Sequence, residues 1–157
     1  KEREREYRRR IAQGFIAPHR IIQHPIKGRA VVADRGLEEG EFVTEYGGQL
    51  ISGEEAERRE EEYAAHPRGA TWGSYTYFFV HNERTHAIDA TAERPEYRIG
   101  RYLSHSRKDP NLRPVKLVIT GVPHIALVAA RDIAKGEELA YDYGARDPAV
   151  VQKFPFL

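Results

Sequence analysis

Turn-forming residues interrupt this chain so often that only short elements fit between them, and no strand–helix alternation suggests βαβ units. The runs between the turns are β-rich: RAVVA at 29–33, FVTEY at 42–46, SYTYFFV at 74–80, THAIDAT at 85–91, VKLVIT at 115–120, IALVAA at 125–130 and ELAYDY at 138–143. In FVTEY the alternation sets Phe42, Thr44 and Tyr46 on one face, the period of a strand with two different sides. Asn82-Glu83-Arg84 turns the strand at 74–80 back into the one at 85–91 as a hairpin, and Gly-Val-Pro at 121–123 separates two later strands. Helices are few. Residues 1–13 read as a short amphipathic or wholly polar helix ended by Gly14, and Ser52 with Glu55 is a capping box that opens a helix running to Ala65. Pro95 suits the first position of a short helix over 95–103. Residues 106–114 read as a loop, and PAVVQKFPFL at the end as a short helix closing in an apolar plug. The expected class is a mainly-β domain of several small sheets with short helices. RGLEEGE at 35–41 and RDIAKGE at 131–137 echo one another at the same spacing, which two similar β-hairpin turns explain without a true repeat.

At 157 residues the chain is long enough to bury one core unaided. It has no cysteine, which removes disulfides and thiolate metal sites and suits a reducing compartment. It has no methionine either, and the missing initiator predicts a fragment of something longer. No apolar run reaches the length of a membrane span, no signal peptide opens the chain, and no membrane association is expected. The seven histidines are scattered without H-x-x-H spacing, so no dedicated metal site is expected. GxSxG, P-loop and GxGxxG patterns are absent.

The net charge is +1 and predicts no partner, but the charge is locally uneven. KEREREYRRR at 1–10 is basic, and EEAERREEE at 54–62 is acidic. Solvated helix faces with i,i+4 pairs account for both. The sharper alternative sets the basic arm against nucleic acid and the acidic helix beside a cationic substrate.

Tyrosines carry the remaining signal. There are nine, and several sit beside glycine at strand ends: Tyr46-Gly47-Gly48, Gly73-Ser74-Tyr75 and Tyr143-Gly144. Any one alone reads as an edge-strand aromatic with a wet hydroxyl. Strand periodicity, however, puts Tyr141 and Tyr143 on one face. Phenols converging on a narrow hole hydrogen-bond an amine, sheathe an alkyl chain and attract a cation.

KGRAVVA at 27–33, EFVTEYGGQLIS at 41–52, RYLSHS at 101–106 and GEELAYDYG at 136–144 together resemble the SET-domain protein lysine methyltransferases, in matching order and spacing. YTYFFVH…AIDAT and GVPHIALVAARDIAKGEELAYDYG are most similar to the subgroup that monomethylates lysine twenty of histone H4, which lacks the cysteine-rich zinc-binding flanks of other members. The resemblance implies small sheets around a C-terminal pseudoknot, the last strand passing under a loop near 101–106. It implies three parts: a basic N-terminal helix with flanking segment (1–26), a SET catalytic domain (27–144) and a C-terminal flank like a zinc-free post-SET segment (145–157).

By the same resemblance S-adenosylmethionine is the methyl donor and S-adenosylhomocysteine the product. Lys27, Gly28 and Arg29 match the first cofactor-binding segment, the cations pairing with the donor's carboxylate. Arg101, Ser104 and His105 match the segment that holds adenosine and the methionine end. Tyr75 matches a tyrosine between cofactor and lysine channel, Tyr46 a further channel tyrosine, Tyr143 the tyrosine assigned to catalysis, and Tyr141 the position that sets the number of methyls. Two departures from the pattern matter, beside the lesser one of Ala30 where a glycine is common. Ser104 stands where the family has asparagine, and Phe156 where the subgroup has a tryptophan near the adenine; both bear on cofactor affinity. The implied partners are a histone tail, the H4 tail first, added as a strand at a sheet edge, and nucleosomal DNA through the basic arm. The implied location is the nucleus and the implied state a monomer. Two alternatives stay open: a SET-fold module that binds tail or cofactor with little turnover, and a small β-rich domain that binds nucleic acid.

Overall fold

The N-terminal charge run is helical, α1, Glu2–Gln13, in a computed structural model that describes residues 2–25, 28–65 and 75–142. The described strands are β1 (His19–His24), β2 (Gly28–Ala33), β3 (Phe42–Glu45), β4 (Gln49–Ser52), β5 (Thr76–His81), β6 (Arg84–Asp89), β7 (Ser104–His105), β8 (Leu112–Ile119), β9 (Val122–Ala129) and β10 (Ala140–Tyr141). A second helix, α2, spans Gly53–Ala64. They fall into two compact units, one formed by the chain up to Tyr46 with Arg98–Asp142, the other by Gly47–Tyr97.

In the first unit α1 is amphipathic. Glu4–Arg8 and Glu6–Arg10 form i,i+4 pairs at 3.5 and 3.6 Å, while Tyr7 and Ile11, one turn apart, are buried with Phe42, Leu117, Ala126 and Val128. The Tyr7 and Phe42 ring centroids are 6.1 Å apart, and the Tyr7 hydroxyl donates to the Gly40 carbonyl at 2.5 Å. Burial of two such side chains stabilises the docked helix by roughly 1.5–3 kcal/mol each. Beneath it lies an antiparallel sheet in the order β3-β9-β8. The expected loop over 106–114 is shorter than its composition suggests, because β8 begins at Leu112 and carries Pro114 on the sheet edge, where a missing N–H costs no ladder bond. Thr120 and Gly121, with φ of 51° and 79°, make the β8–β9 turn, so Val122 and Pro123 belong to the strand and not to the turn.

HRIIQH at 19–24, which lacks clean alternation, is a strand all the same. It pairs with β2 from His19↔Ala33 to His24↔Gly28. The other edge of β2 bonds to residues 137–139, so β2 and β3 do not pair with each other; β3 takes β9 instead. The sequence echo has a structural counterpart stronger than two independent turns. Leu37 and Ile133 exchange backbone bonds of 2.8 Å in both directions. Gly40 N–H donates to Ala129 as Gly136 N–H donates to Ala33, each at 2.7 Å. Glu41 and Glu137 carboxylates accept from the amides three residues back, Glu38 and Ala134. Both glycines have positive φ, 85° and 93°, where a side chain would be strained. The two segments clasp each other bond for bond.

The second unit is the sheet β4-β6-β5 with α2 against it. Ile51, Ala56, Phe78 and Ala87 form its apolar core. Ser52 Oγ accepts the Glu55 N–H at 3.1 Å, which starts α2 where the sequence predicts. The reciprocal half of the capping box is not made, because the Glu55 carboxylate turns to Arg58 and Arg59. Asn82 and Glu83 form the hairpin turn with φ of 52° and 64°. The helix expected over 95–103 is two 3-10 turns, Pro95–Tyr97 and Gly100–Tyr102, interrupted at Arg98 with φ 64°.

β10 pairs in parallel with β7. Tyr141 carbonyl accepts from Ser106 N and Ala140 carbonyl from Asn111 N, both at 3.1 Å. The last described strand thus threads between the 104–106 segment and Asn111, as the pseudoknot requires. The expected C-terminal helix and plug lie outside the described residues.

Candidate active site

Tyr46 follows β3 directly. Its N–H donates to the Ile125 carbonyl of β9 at 2.8 Å, and its side chain is 3% exposed. Gly100 packs on it so closely that an added Cβ would stand 2.7 Å from ring atom Cδ2. Tyr141, on β10, is 2% exposed. The two rings meet edge to face, centroids 6.3 Å apart and planes at 69°, the arrangement the aromatic quadrupole favours. Two of the four predicted tyrosines are therefore brought together within one unit. Tyr75 lies in the second unit, half-buried at the entry to β5, where its carbonyl accepts from Ala90 N at 2.9 Å. Tyr143 lies outside the described residues.

Asn111, which no motif singled out, sets β10 in place. It is 3% exposed, its Nδ2 donates to the Glu138 carbonyl and its Oδ1 accepts from Ala140 N, each at 2.8 Å. An asparagine before a strand carries no recognisable signal in sequence; its partners are 27 and 29 residues away.

The predicted cofactor residues are arranged as follows. Gly28 opens β2 with φ 84° and open space where a Cβ would point. Arg29 is exposed, its guanidinium carbon 4.5 Å from the Tyr102 ring centroid. Arg101 is buried and its guanidinium carbon lies 5.5 Å from the same ring. His105 is exposed, Nδ1 3.9 Å from Asp142 Oδ1. Ser104 is buried and its hydroxyl donates to the Glu138 carboxylate, so the shorter side chain at this position is engaged within the fold. Lys27 and Phe156 lie outside the described residues. Two guanidiniums gathered at one aromatic ring, beside the exposed edge of Gly28, are a donor set that fits a carboxylate-bearing cofactor.

In the second unit a buried carboxylate ties α2 to the sheet. Asp89, 4% exposed, accepts from Arg59 Nη1 at 3.1 Å, the Tyr63 hydroxyl at 2.5 Å and Thr91 N at 2.9 Å. Burial works to raise its pKa, but hydrogen bonds from Thr91, Tyr63 and Arg59 outweigh that and hold it below the usual carboxylate range. Burial, with the hydrogen bond to Asp89 second, pushes the Tyr63 phenol up to about 12.

Small sheets, the β7–β10 threading and the paired buried tyrosines are the marks of a SET domain. Residues 28–144 match the SET domain family, and the chain belongs to it. It is 45% identical over 131 residues to the N-lysine methyltransferase KMT5A-B of Xenopus laevis, covering 83% of this chain and 37% of that protein. It is 43% identical over 137 residues to the Histone-lysine N-methyltransferase set-1 of Caenorhabditis elegans, covering 87% and 54%. Against the Histone-lysine N-methyltransferase Set8 of Drosophila melanogaster the identity is 44% over 131 residues, covering 83% and 18%. The crystal structure of CpSET8 from Cryptosporidium matches with a TM-score of 0.85 and 37% identity, over 94% of this chain and 67% of that one. The chain spans from 18% to 54% of the length of these three sequence relatives.

Proposed function

We propose that this chain is the catalytic part of a protein lysine methyltransferase that places one methyl group on a lysine of the histone H4 tail. The observation that carries the reading is the edge-to-face pair of buried tyrosines, Tyr46 and Tyr141, in a SET domain whose sequence relatives are named as lysine methyltransferases. S-adenosylmethionine supplies the methyl group from a sulfonium and leaves as S-adenosylhomocysteine. Lys27, Gly28, Arg29, Tyr75, Arg101, Ser104, His105 and Phe156 are its proposed binding residues.

A lysine amine has an ordinary pKa of about 10.4 and must be neutral to react. Aromatic walls that exclude water favour the neutral form. The main task of the protein is then alignment, which contributes about 7–11 kcal/mol when reacting atoms are held in line. In this reading Tyr46 and Tyr141 wall the channel. The Tyr141 hydroxyl orients the amine and denies room for a second methyl, and Tyr143 holds partial negative charge toward the moving carbon. The exposed Arg5 and Arg9 of α1 are a surface for nucleosomal phosphates. The proposed working state is a monomer in the nucleus.

Mass spectrometry of histone H4 and of nucleosomes incubated with the chain and S-adenosylmethionine tests this. One added methyl on a tail lysine is expected, with loss of transfer in Tyr143→Phe. Binding of tail and cofactor with no transfer above that variant would leave a binding module in place of an enzyme.

A further inference from the structure

Glu45 and His124 form a half-buried pair that the proposed chemistry does not use. His124 Nδ1 stands 2.6 Å from Glu45 Oε2, with side chains 26% and 21% exposed. An ionised carboxylate only accepts, so the imidazole proton sits on Nδ1. Hydrogen bonds to an ionised partner are short and roughly twice as strong as neutral ones.

The pair's place in the fold gives it a task. Glu45 ends β3 and immediately precedes Tyr46. His124 immediately precedes Ile125, whose carbonyl accepts the Tyr46 N–H. The β3–β9 ladder reaches its last register pair at Glu45↔Ala126, after a shift between Phe42 and Thr44. Tyr46 therefore stands one residue past the ladder's end. The Glu45–His124 bond crosses the same two strands beside its backbone bond. A bulge re-aims the side chains that follow it unless something fixes the strand's exit. The Thr44 hydroxyl, fully buried, steadies the same point by donating to the Glu45 carbonyl at 3.0 Å.

We propose that the Glu45–His124 pair is a positioning element for Tyr46, setting where its ring stands against Tyr141 and hence the width of the lysine channel. The inference rests on the methyltransferase reading for its consequence in catalysis. Its geometric content, the placement of one ring, does not. Both residues act through Tyr46 and are positioning residues.

The test uses two kinds of substitution. Glu45→Thr and His124→Phe break the bond while keeping strand propensity or ring volume. Glu45→Gln and His124→Asn keep an acceptor or a donor at the same place. Each is made in wild type and with 3-fluorotyrosine at position 46, and melting curves confirm that each variant is folded. The breaking variants are expected to shift and broaden the fluorine resonance of residue 46. They are also expected to lower kcat on an H4 peptide by about 10- to 100-fold, the cost of a small misplacement at a reacting centre. The peptide KM should stay within about threefold, since positioning and not uniform binding is lost. The conserving variants should keep both signals. In a Tyr46→Leu background Glu45→Thr should cost nothing further. An unchanged resonance and kcat in folded Glu45→Thr and His124→Phe would overturn the inference, as would an equal loss in the Tyr46→Leu background. An inactive wild type whose fluorine resonance still responds would overturn the methyltransferase reading and leave the positioning role standing.

Discussion

Asp89→Ala removes the acceptor at the centre of the α2–β6 contact. The carboxylate is almost wholly buried and takes hydrogen bonds from Arg59, Tyr63 and Thr91. Removing one partner of a buried ion pair costs roughly 3–5 kcal/mol. Arg59, however, is 21% exposed and keeps Glu55 and Gln49 as partners, so the lower end applies, about 3 kcal/mol. For a domain of this size that is a fall in Tm of about 6–12 °C. Asp89→Asn, which keeps an oxygen for the Thr91 amide, should fall about half as far, and Tyr63→Phe by about 1 kcal/mol. The pH dependence has a definite sign. Asp89 has a folded pKa below its ordinary value of about 4, so its contribution is present above pH ~4 and is lost as pH falls through the lower folded value. The stability gap between wild type and Asp89→Asn should therefore narrow in acid. Tyr63 is raised, so its contribution is complete below pH ~10 and erodes as pH rises toward 12. Calorimetry or circular-dichroism melts from pH 3 to pH 8 read the acid limb. A fall in Tm under 2 °C for Asp89→Ala at pH 7, or a gap that widens in acid, would refute the account.

Asn111→Ala should cost about 2–4 kcal/mol in urea unfolding, because it removes the side-chain partner of the buried Ala140 amide of β10 and of the part-buried Glu138 carbonyl just before it. Gly100→Ala should cost about 1–3 kcal/mol by thermal melt, as the new methyl meets the Tyr46 ring, and in the proposed function it should also depress kcat. In the proposed function the Tyr141 hydroxyl crowds the amine, so Tyr141→Phe should on that reading let dimethyl product appear beside monomethyl in mass spectra while stability changes by no more than about 1 kcal/mol.

Much of the local structure was legible because its causes are local. The start of α2 lay in one hydroxyl three residues before an amide, and the β5–β6 hairpin in the alternation of aromatic and β-branched residues on either side of Asn82-Glu83. Elsewhere a distant partner outweighed the local preference. HRIIQH became a strand because β2 offered a full ladder to it. Pro114 was tolerated inside β8 because its side of the strand is the sheet edge. The charge run at 1–10 gave no sign of how deeply Tyr7 would sit, since the apolar floor beneath it comes from Phe42, 35 positions on, and from Leu117, Ala126 and Val128, more than a hundred positions on.

By itself the order of residues determined the class of elements, the separated motifs of a SET domain and the tyrosines worth watching. Side-chain period, turn chemistry and capping operate within a few residues and are written along the chain. Only the tertiary structure decided that Tyr46 and Tyr141 face one another, that Asn111 holds the last strand, that the two echoing turns clasp each other, and that Glu45 finds His124. Those are contacts between residues 27 to 103 positions apart. They exist because burying apolar strands leaves each polar group to find the one partner that the packed chain brings within reach.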